Sequence, residues 1–196
     1  VTLQKNMATK KIDIPTKVHK DYTRNKLAQD FYKWGFTKGA EIGVRHGRFS
    51  RNMCEYNPNL ELLCVDPYDV VYQEKRSREI GKEGQVEIYE YAKKKLEPYN
   101  ATIIKKLSVD ASIDIPNESL DFVYIDGGHQ FDYVMTDIIL WGQKIKKGGI
   151  LSGHDYYKFI DAGVVRAVDN YAAVHGVKEI NLTDESTPTW WFKRTW

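Results

Sequence analysis

The stretch Gly39-Ala40-Glu41-Ile42-Gly43-Val44-Arg45-His46-Gly47-Arg48-Phe49-Ser50 constrains this chain more than any other. It reads as a short apolar strand, a glycine-bracketed turn and the first residues of a helix. Gly43 and Gly47 lack a Cβ, so the backbone there can turn sharply and lie against a ligand. The helix that follows aims its unpaired N–H groups at the same place. Further on, a second apolar run, Leu62-Leu63-Cys64-Val65, ends in Asp66. A carboxylate at the tip of a second strand is the usual partner for ribose hydroxyls in a nucleotide-binding βαβ unit.

The glycine spacing narrows the nucleotide. A dinucleotide site wants G-x-G-x-x-G, with the helix N-terminus against pyrophosphate. Here Val44, Arg45 and His46 separate two glycines, Glu41 precedes them and no third glycine follows. A carboxylate beside the loop suits a ligand that carries positive charge and would repel a pyrophosphate. An NAD-linked dehydrogenase is therefore disfavoured.

Around this unit the pattern is regular. Residues 1–20 are polar and without period, and read as an extended N-terminal arm in which Pro15 breaks any helix; residues 21–196 read as a single domain. Leu27, Phe31 and Trp34 fall on one helical stripe, and Gly35 stands where a C-terminal cap belongs. Strands are predicted at Ala40–Val44, Leu62–Val65, Ala101–Ile104, Leu120–Ile125 and Ile150–Gly153. Helices are predicted from Phe49 to Tyr56, along Val86, Tyr89, Ala92 and Leu96, along Val134, Ile138, Trp141 and Ile145, and along Val164, Val168, Tyr171 and Ala172. Between Asp66 and Gly84 lies a long charged segment including Tyr72–Glu79, which reads as a binding loop or lid, or as a solvated helical insertion. Glu179–Leu182 and Thr189–Lys193 close the chain as two strands, the latter carrying Trp190-Trp191 on opposite faces. Alternating βα units with a terminal β-pair predict one α/β sandwich, mostly parallel.

Composition excludes several classes. The net charge is +2, with no Lys/Arg stripe on one face, so nucleic acid is not the expected partner. No apolar run approaches the ~20 residues needed to span a bilayer, and the N-terminus shows no signal-peptide core. The two cysteines, Cys54 and Cys64, form no C-x-x-C and read as free thiols in a reduced, cytoplasmic setting.

In an open parallel sheet, ligands bind beyond the carboxyl ends of the strands. Those ends carry Arg45 and His46, Asp66, Ser108 and Asp110, Asp126-Gly127-Gly128-His129, and His154-Asp155-Tyr156. The run from Leu120 to His129, with its I-D-G-G-H, and Lys147-Gly148-Gly149-Ile150-Leu151-Ser152-Gly153-His154-Asp155-Tyr156 resemble the small single-domain, class I S-adenosylmethionine (SAM)-dependent methyltransferases, often O-methyltransferases. The resemblance extends over about Lys26 to Lys193. It implies a Rossmann-like, seven-stranded sheet in the order 3-2-1-4-5-7-6, the seventh antiparallel, with helices on both faces. It also implies that Glu41, Gly43 and Gly47 line the methionine part of SAM. Asp66 would take the ribose hydroxyls, Ser108 and Asp110 would lie near adenine, and Asp126 would complete the cofactor site.

A methyl carbon on a sulfonium is already activated, so the protein must align the acceptor and, for a hydroxyl, remove its proton. Two arrangements suit this. Asp126 and Asp155, on neighbouring strands, could hold Mg²⁺ or another divalent cation that lowers the pKa of the acceptor oxygen. Metal-dependent relatives have a second acid or amide where this chain has Tyr156. Alternatively His129 or His154 acts as the base. The expected function is SAM-dependent methylation of a small molecule at a hydroxyl oxygen. An N-methyltransferase, a sugar or glycan-precursor methyltransferase, and a SAM-binding module without turnover are the alternatives.

Overall fold

The computed structural model describes residues 14–69, 75–157 and 163–196. Eight strands form one sheet: β1 (Thr16–His19), β2 (Lys38–Ile42), β3 (Glu61–Val65), β4 (Ala101–Ile104), β5 (Leu120–Ile125), β6 (Ile145–Gly153), β7 (Ile180–Thr183) and β8 (Trp190–Lys193). Six helices connect them: α1 (Arg24–Lys33), α2 (Arg48–Tyr56), α3 (Lys75–Leu96), α4 (Ser108–Ile113), α5 (Phe131–Gly142) and α6 (Val164–Val174). The sheet order is β1-β7-β8-β6-β5-β2-β3-β4, and β8 runs antiparallel to both its neighbours. Seven of these strands reproduce the expected order. The eighth, β1, pairs in parallel with β7 from Thr16↔Ile180 to His19↔Thr183. Part of the polar N-terminal arm is thus an edge strand. Its exposed Thr16, Lys17 and Val18 show none of the apolar alternation that marks a half-buried strand.

Central strands are buried on both faces, as expected when helices cover each side of a parallel sheet. Helices α1, α2 and α3 pack on one face, where Leu27, Phe31, Met53 and Leu96 meet Leu62, Phe122 and Tyr124. The Phe31 and Phe122 rings stack at 4.0 Å over Gly39, which has no room for a side chain. Helices α4, α5 and α6 cover the other face, with Ile138, Trp141 and Val168 against Val123, Ile125 and Leu151. Trp190 is buried on this second face and Trp191 on the first, so both tryptophans are core residues.

β2 begins earlier than expected and ends at Ile42, so Val44 lies in the loop, and three further differences bear on the site. The apolar spacing of Val134, Ile138, Trp141 and Ile145 looked like one helix, but α5 ends at Gly142 and Ile145 opens β6 opposite Leu120. Lys147-Gly148-Gly149 therefore lies within a strand, where the register shifts and Gly148 takes φ +90°. Second, Ser108 begins a short helix, α4. Third, the charged segment is helical from Lys75, broken at Gly81 (φ 66°, ψ 177°), while Tyr72–Glu74 lies outside the described residues.

Candidate active site

The carboxyl ends of the central strands are spliced together by backbone hydrogen bonds that continue past the strands. Gly43 N–H donates to the Val65 carbonyl (2.8 Å), Asp126 N–H to that of Ile42 (2.7 Å) and His154 N–H to that of Ile125 (2.9 Å). The residues after β2, β5 and β6 are therefore side by side. Gly43 has φ +90°, and a Cβ there would collide with the Asp126 carbonyl. Only glycine allows the β2 loop to pass so close to the β5 loop.

Asp66 secures the same loop from the other side. Its Oδ2 accepts from the N–H groups of Val44 and Arg45 (both 2.9 Å), and its Oδ1 from Tyr68 N–H (2.9 Å). Gly47 is the N-cap of α2, with φ +63°, and stands against Leu96 and Ala92 of α3. It shapes the turn but does not line the cavity.

A cavity of about 570 Å³ opens over these strand ends. Glu41, Gly43, Asp66, Ser108, Asp126, His129, His154 and Asp155 all line it. Asp110 does not: it is exposed in the first turn of α4. Two further lining residues, Arg24 and Asp137, were not foreseen. Arg24, at the start of α1, gives no local signal, because only the fold brings that helix over the β2 loop. Asp137 did leave one. It falls on the stripe of Val134 and Trp141, and an acid on a core-facing stripe needs a reason.

The electrostatics divide the acids. Glu41 is buried and receives a hydrogen bond from Ser50; burial outweighs that bond and pushes its carboxyl up to about 8. Asp137 is buried and receives one from Ser108; burial raises it to about 6. Asp126 is likewise raised to about 6, by burial and the Asp155 charge, against the pull of His154 and Arg24.

Asp155 goes the other way. Burial would raise it, but His129 Nε2 at 2.9 Å and His154 Nδ1 at 3.2 Å hold it well below the carboxylate range. His154 is raised correspondingly: burial lowers it, and Asp155 and Asp126 outweigh that. Asp155 also has φ +57°, an uncommon backbone for a non-glycine residue, which keeps its carboxylate between the two imidazoles.

Asp126, His154 and Asp155 each offer a ligand atom within 4.8 Å of the others. Tyr156, at the place of the expected third oxygen ligand, instead gives its hydroxyl to Asp169 of α6 (2.6 Å). His154 offers the third candidate donor atom. Arg24 reaches in from α1, its guanidinium 5.1 Å above the Phe49 ring and 3.9 Å from Asp126 Oδ2.

A glycine-cradled cavity at the carboxyl edge of a 3-2-1-4-5-7-6 sheet is the architecture of the class I methyltransferase fold. Residues 40–156 match the sequence family described as a methyltransferase domain, and the chain belongs to that family.

Among curated proteins it is 28% identical over 138 residues to the uncharacterized protein R132 of Acanthamoeba polyphaga mimivirus, covering 68% of this chain and 57% of that one. The chain thus spans little more than half the length of that relative. Among solved structures it shares its fold with the O-methyltransferase NovP (TM-score 0.64, 16% identity, 88% of this chain and 78% of that one). It is similar also to a protein from Corynebacterium glutamicum (0.62, 15%, 93% and 84%). A third is the O-methyltransferase TomG from Streptomyces achromogenes, solved with SAM (0.58, 14%, 87% and 79%). Among the described residues no helix is long and apolar enough to cross a membrane.

Proposed function

We propose that this chain methylates a hydroxyl oxygen of a small-molecule acceptor, with His129 taking the hydroxyl proton. The observation that supports this most directly is the His129–Asp155 contact at 2.9 Å on the cavity wall. With Nε2–H donated to Asp155, the imidazole is oriented and Nδ1 is its basic atom. An Asp155 held ionised stabilises the imidazolium that proton transfer creates. His154 steadies Asp155 from the other side.

SAM supplies an electrophilic methyl carbon. The residues present fit it: Gly43 leaves room against the Asp126 backbone, and the cavity is of small-molecule size, about 300–1,000 Å³ being typical. Asp66 accepts three backbone N–H bonds. Two carboxylate oxygens offer about four acceptor positions, so it retains capacity for a ribose hydroxyl. Glu41 and Gly43 would bound the methionine part and Ser108 the adenine side, with Gly47 fixing the turn from behind. Oxygen as acceptor is supported by NovP and TomG, both described as O-methyltransferases.

A second reading draws on the triad Asp126, His154 and Asp155, whose donor atoms would hold a divalent cation and so lower the acceptor's pKa. Two carboxylates with one imidazole suit Mn²⁺, Fe²⁺ or Zn²⁺ as well as Mg²⁺. Chelation separates the two readings. If His129 is the base, EDTA leaves turnover unchanged, and His129→Ala lowers it about 10²–10⁴-fold with S-adenosylhomocysteine affinity intact. Activity that EDTA abolishes and Mn²⁺ restores establishes the metal instead. Full activity in both the metal-stripped enzyme and His129→Ala would sink both accounts.

A further inference from the structure

A second, much smaller cavity of about 10 Å³ adjoins the imidazole pair. Val134 of α5, Val164 of α6 and Trp190 of β8 wall it on one side. His129, His154 and Asp155 line this cavity and the main one alike. One water molecule needs roughly 10–15 Å³ of such space, together with two or more polar partners. The volume fits, and two polar groups stand ready.

The first is the indole N–H of Trp190. This side chain is fully buried, and its Nε1 has no hydrogen-bond partner among the described residues. An N–H group buried in that condition is costly and rare. β8 pairs Trp190 with Gly153, and a Cβ on Gly153 would stand 2.7 Å from indole Cζ2 and 2.8 Å from Cε2. Cε2 is bonded to Nε1, so the N–H edge of the ring lies over Gly153, next in the chain to His154. The second group is Asp155. Both imidazoles bear on a single oxygen, Oδ2, His129 at 2.9 Å and His154 at 3.2 Å. The other oxygen, Oδ1, keeps its acceptor positions.

We infer that Trp190 is a positioning residue for the Asp155–His129 pair: a single water in the small cavity accepts from Trp190 Nε1–H and donates to Asp155 Oδ1. The carboxylate is then anchored at both oxygens, by the imidazoles at one and through the water at the other. Its plane is fixed, Oδ2 faces His129 Nε2, and the neutral imidazole keeps its proton on Nε2 with Nδ1 basic. The bearing of this link on turnover rests on the reading of His129 as the base. The link itself can be measured without turnover. It gives a core tryptophan a task that packing alone does not require, since a phenylalanine would serve an apolar wall.

The test is nuclear magnetic resonance on the full chain with nitrogen-labelled tryptophan and histidine. The Trp190 indole N–H, assigned by its loss in Trp190→Phe, should show a cross-peak to a long-lived water. An indole N–H with no water contact in the wild-type protein overturns the inference without any variant. The ring nitrogens of His129 report its tautomer. Trp190→Phe should raise the Nδ1–H form relative to the Nε2–H form by about 2–10-fold, the range of one net hydrogen bond.

Because Trp190→Phe also leaves a void in the core, a second variant separates the donor from the packing. Benzothienylalanine placed at position 190 keeps the shape of the indole and puts sulfur where the N–H was. It should melt cooperatively and shift the His129 tautomer as far as Trp190→Phe does. A shift in the phenylalanine variant alone makes Trp190 a packing residue and overturns the inference. Trp191→Phe, on the other face of the sheet, should leave both the water contact and the tautomer as they are. The two readings fail separately. If the water contact is present and His129→Ala retains full turnover, the base reading has failed and the water link stands. If the contact is missing and His129→Ala is inactive, the inference alone has failed.

Discussion

Glu41 is an ionisable group in a place that does not hydrate it, and this has a sign that can be checked. The unfolded chain gives up the Glu41 proton near the ordinary value of 4.5, whereas the folded chain keeps it to about 8. Between those values the native state binds more protons than the unfolded state. Stability therefore falls as pH rises, by at most about 1.4 kcal/mol per pH unit from this group. Glu41→Gln keeps the shape and an acceptor for Ser50 but removes the titration. The variant should melt at nearly the wild-type temperature at pH 5 and progressively above it toward pH 8, with the gap level beyond. Parallel melting curves across this range would show that Glu41 ionises freely in the folded protein. At this scale the sequence disclosed much. Asp66, Asp126, His129, His154 and Asp155 are recognisable because each follows a strand that can be read from its apolar run. The charge state of Glu41 is not recognisable, because it depends on what the folded sheet and α2 exclude from its surroundings. Asp137 is half hidden for a related reason: an acid on a core-facing stripe is a local sign, but nothing local says that its helix reaches the cavity.

The element that makes the crevice is the loop between β2 and α2, and its tightest point is Gly43. Gly43→Ala would set a methyl group against the carbonyl of Asp126 and force a left-handed φ on alanine. Either the β2 and β5 ends separate or the loop refolds, and both move Val44 N–H and Arg45 N–H away from Asp66. We expect a stability loss of about 1–3 kcal/mol, the usual scale of overpacking and backbone strain, with S-adenosylhomocysteine binding lost in protein that still folds. A variant with wild-type affinity would place the ligand elsewhere. Gly148 shows why spacing alone misplaced a neighbouring boundary. Ile145 stands at helical distance from Trp141 and is equally buried as the first residue of β6. Period cannot choose between the last turn of a buried helix and the first residue of a buried strand. The bulge at Gly148 and Gly149, which lets β6 run on beside β5, is visible only once the two strands are paired.

On the scale of the whole molecule, the sheet has one strand more than its sequence pattern showed, and that strand is linked to the cavity. After β1 the chain turns, and Asp184 and Glu185 accept from the N–H groups of Asp21 (3.1 Å) and Arg24 (2.8 Å). His19 is tied to Asn181 (2.8 Å) and lies against Trp191 (ring centroids 5.1 Å apart). Through these contacts the far edge of the sheet positions Arg24 beside Asp126. Removing residues 1–19 should lower the melting temperature and weaken S-adenosylhomocysteine binding together, and should promote association through the uncovered β7 edge. Light scattering that shows a monomer with wild-type affinity would mean that β1 is dispensable to both. The seven-stranded order was readable from the family resemblance. The edge strand was not, because three exposed residues on an outer strand carry no burial pattern to read.

The direction of the strands also governs how this enzyme can be attached to anything else. β1 runs parallel to β7, and the chain therefore arrives at Pro15 on the side of the sheet opposite the strand ends that form the cavity. β8 runs antiparallel to β6, so Arg194, hydrogen-bonded to Gly148 and Gly149, departs on that same side. A tether, a carrier bead or a fused neighbour joined at either position is held behind the catalytic face. The mouth of the pocket then points away from the attachment.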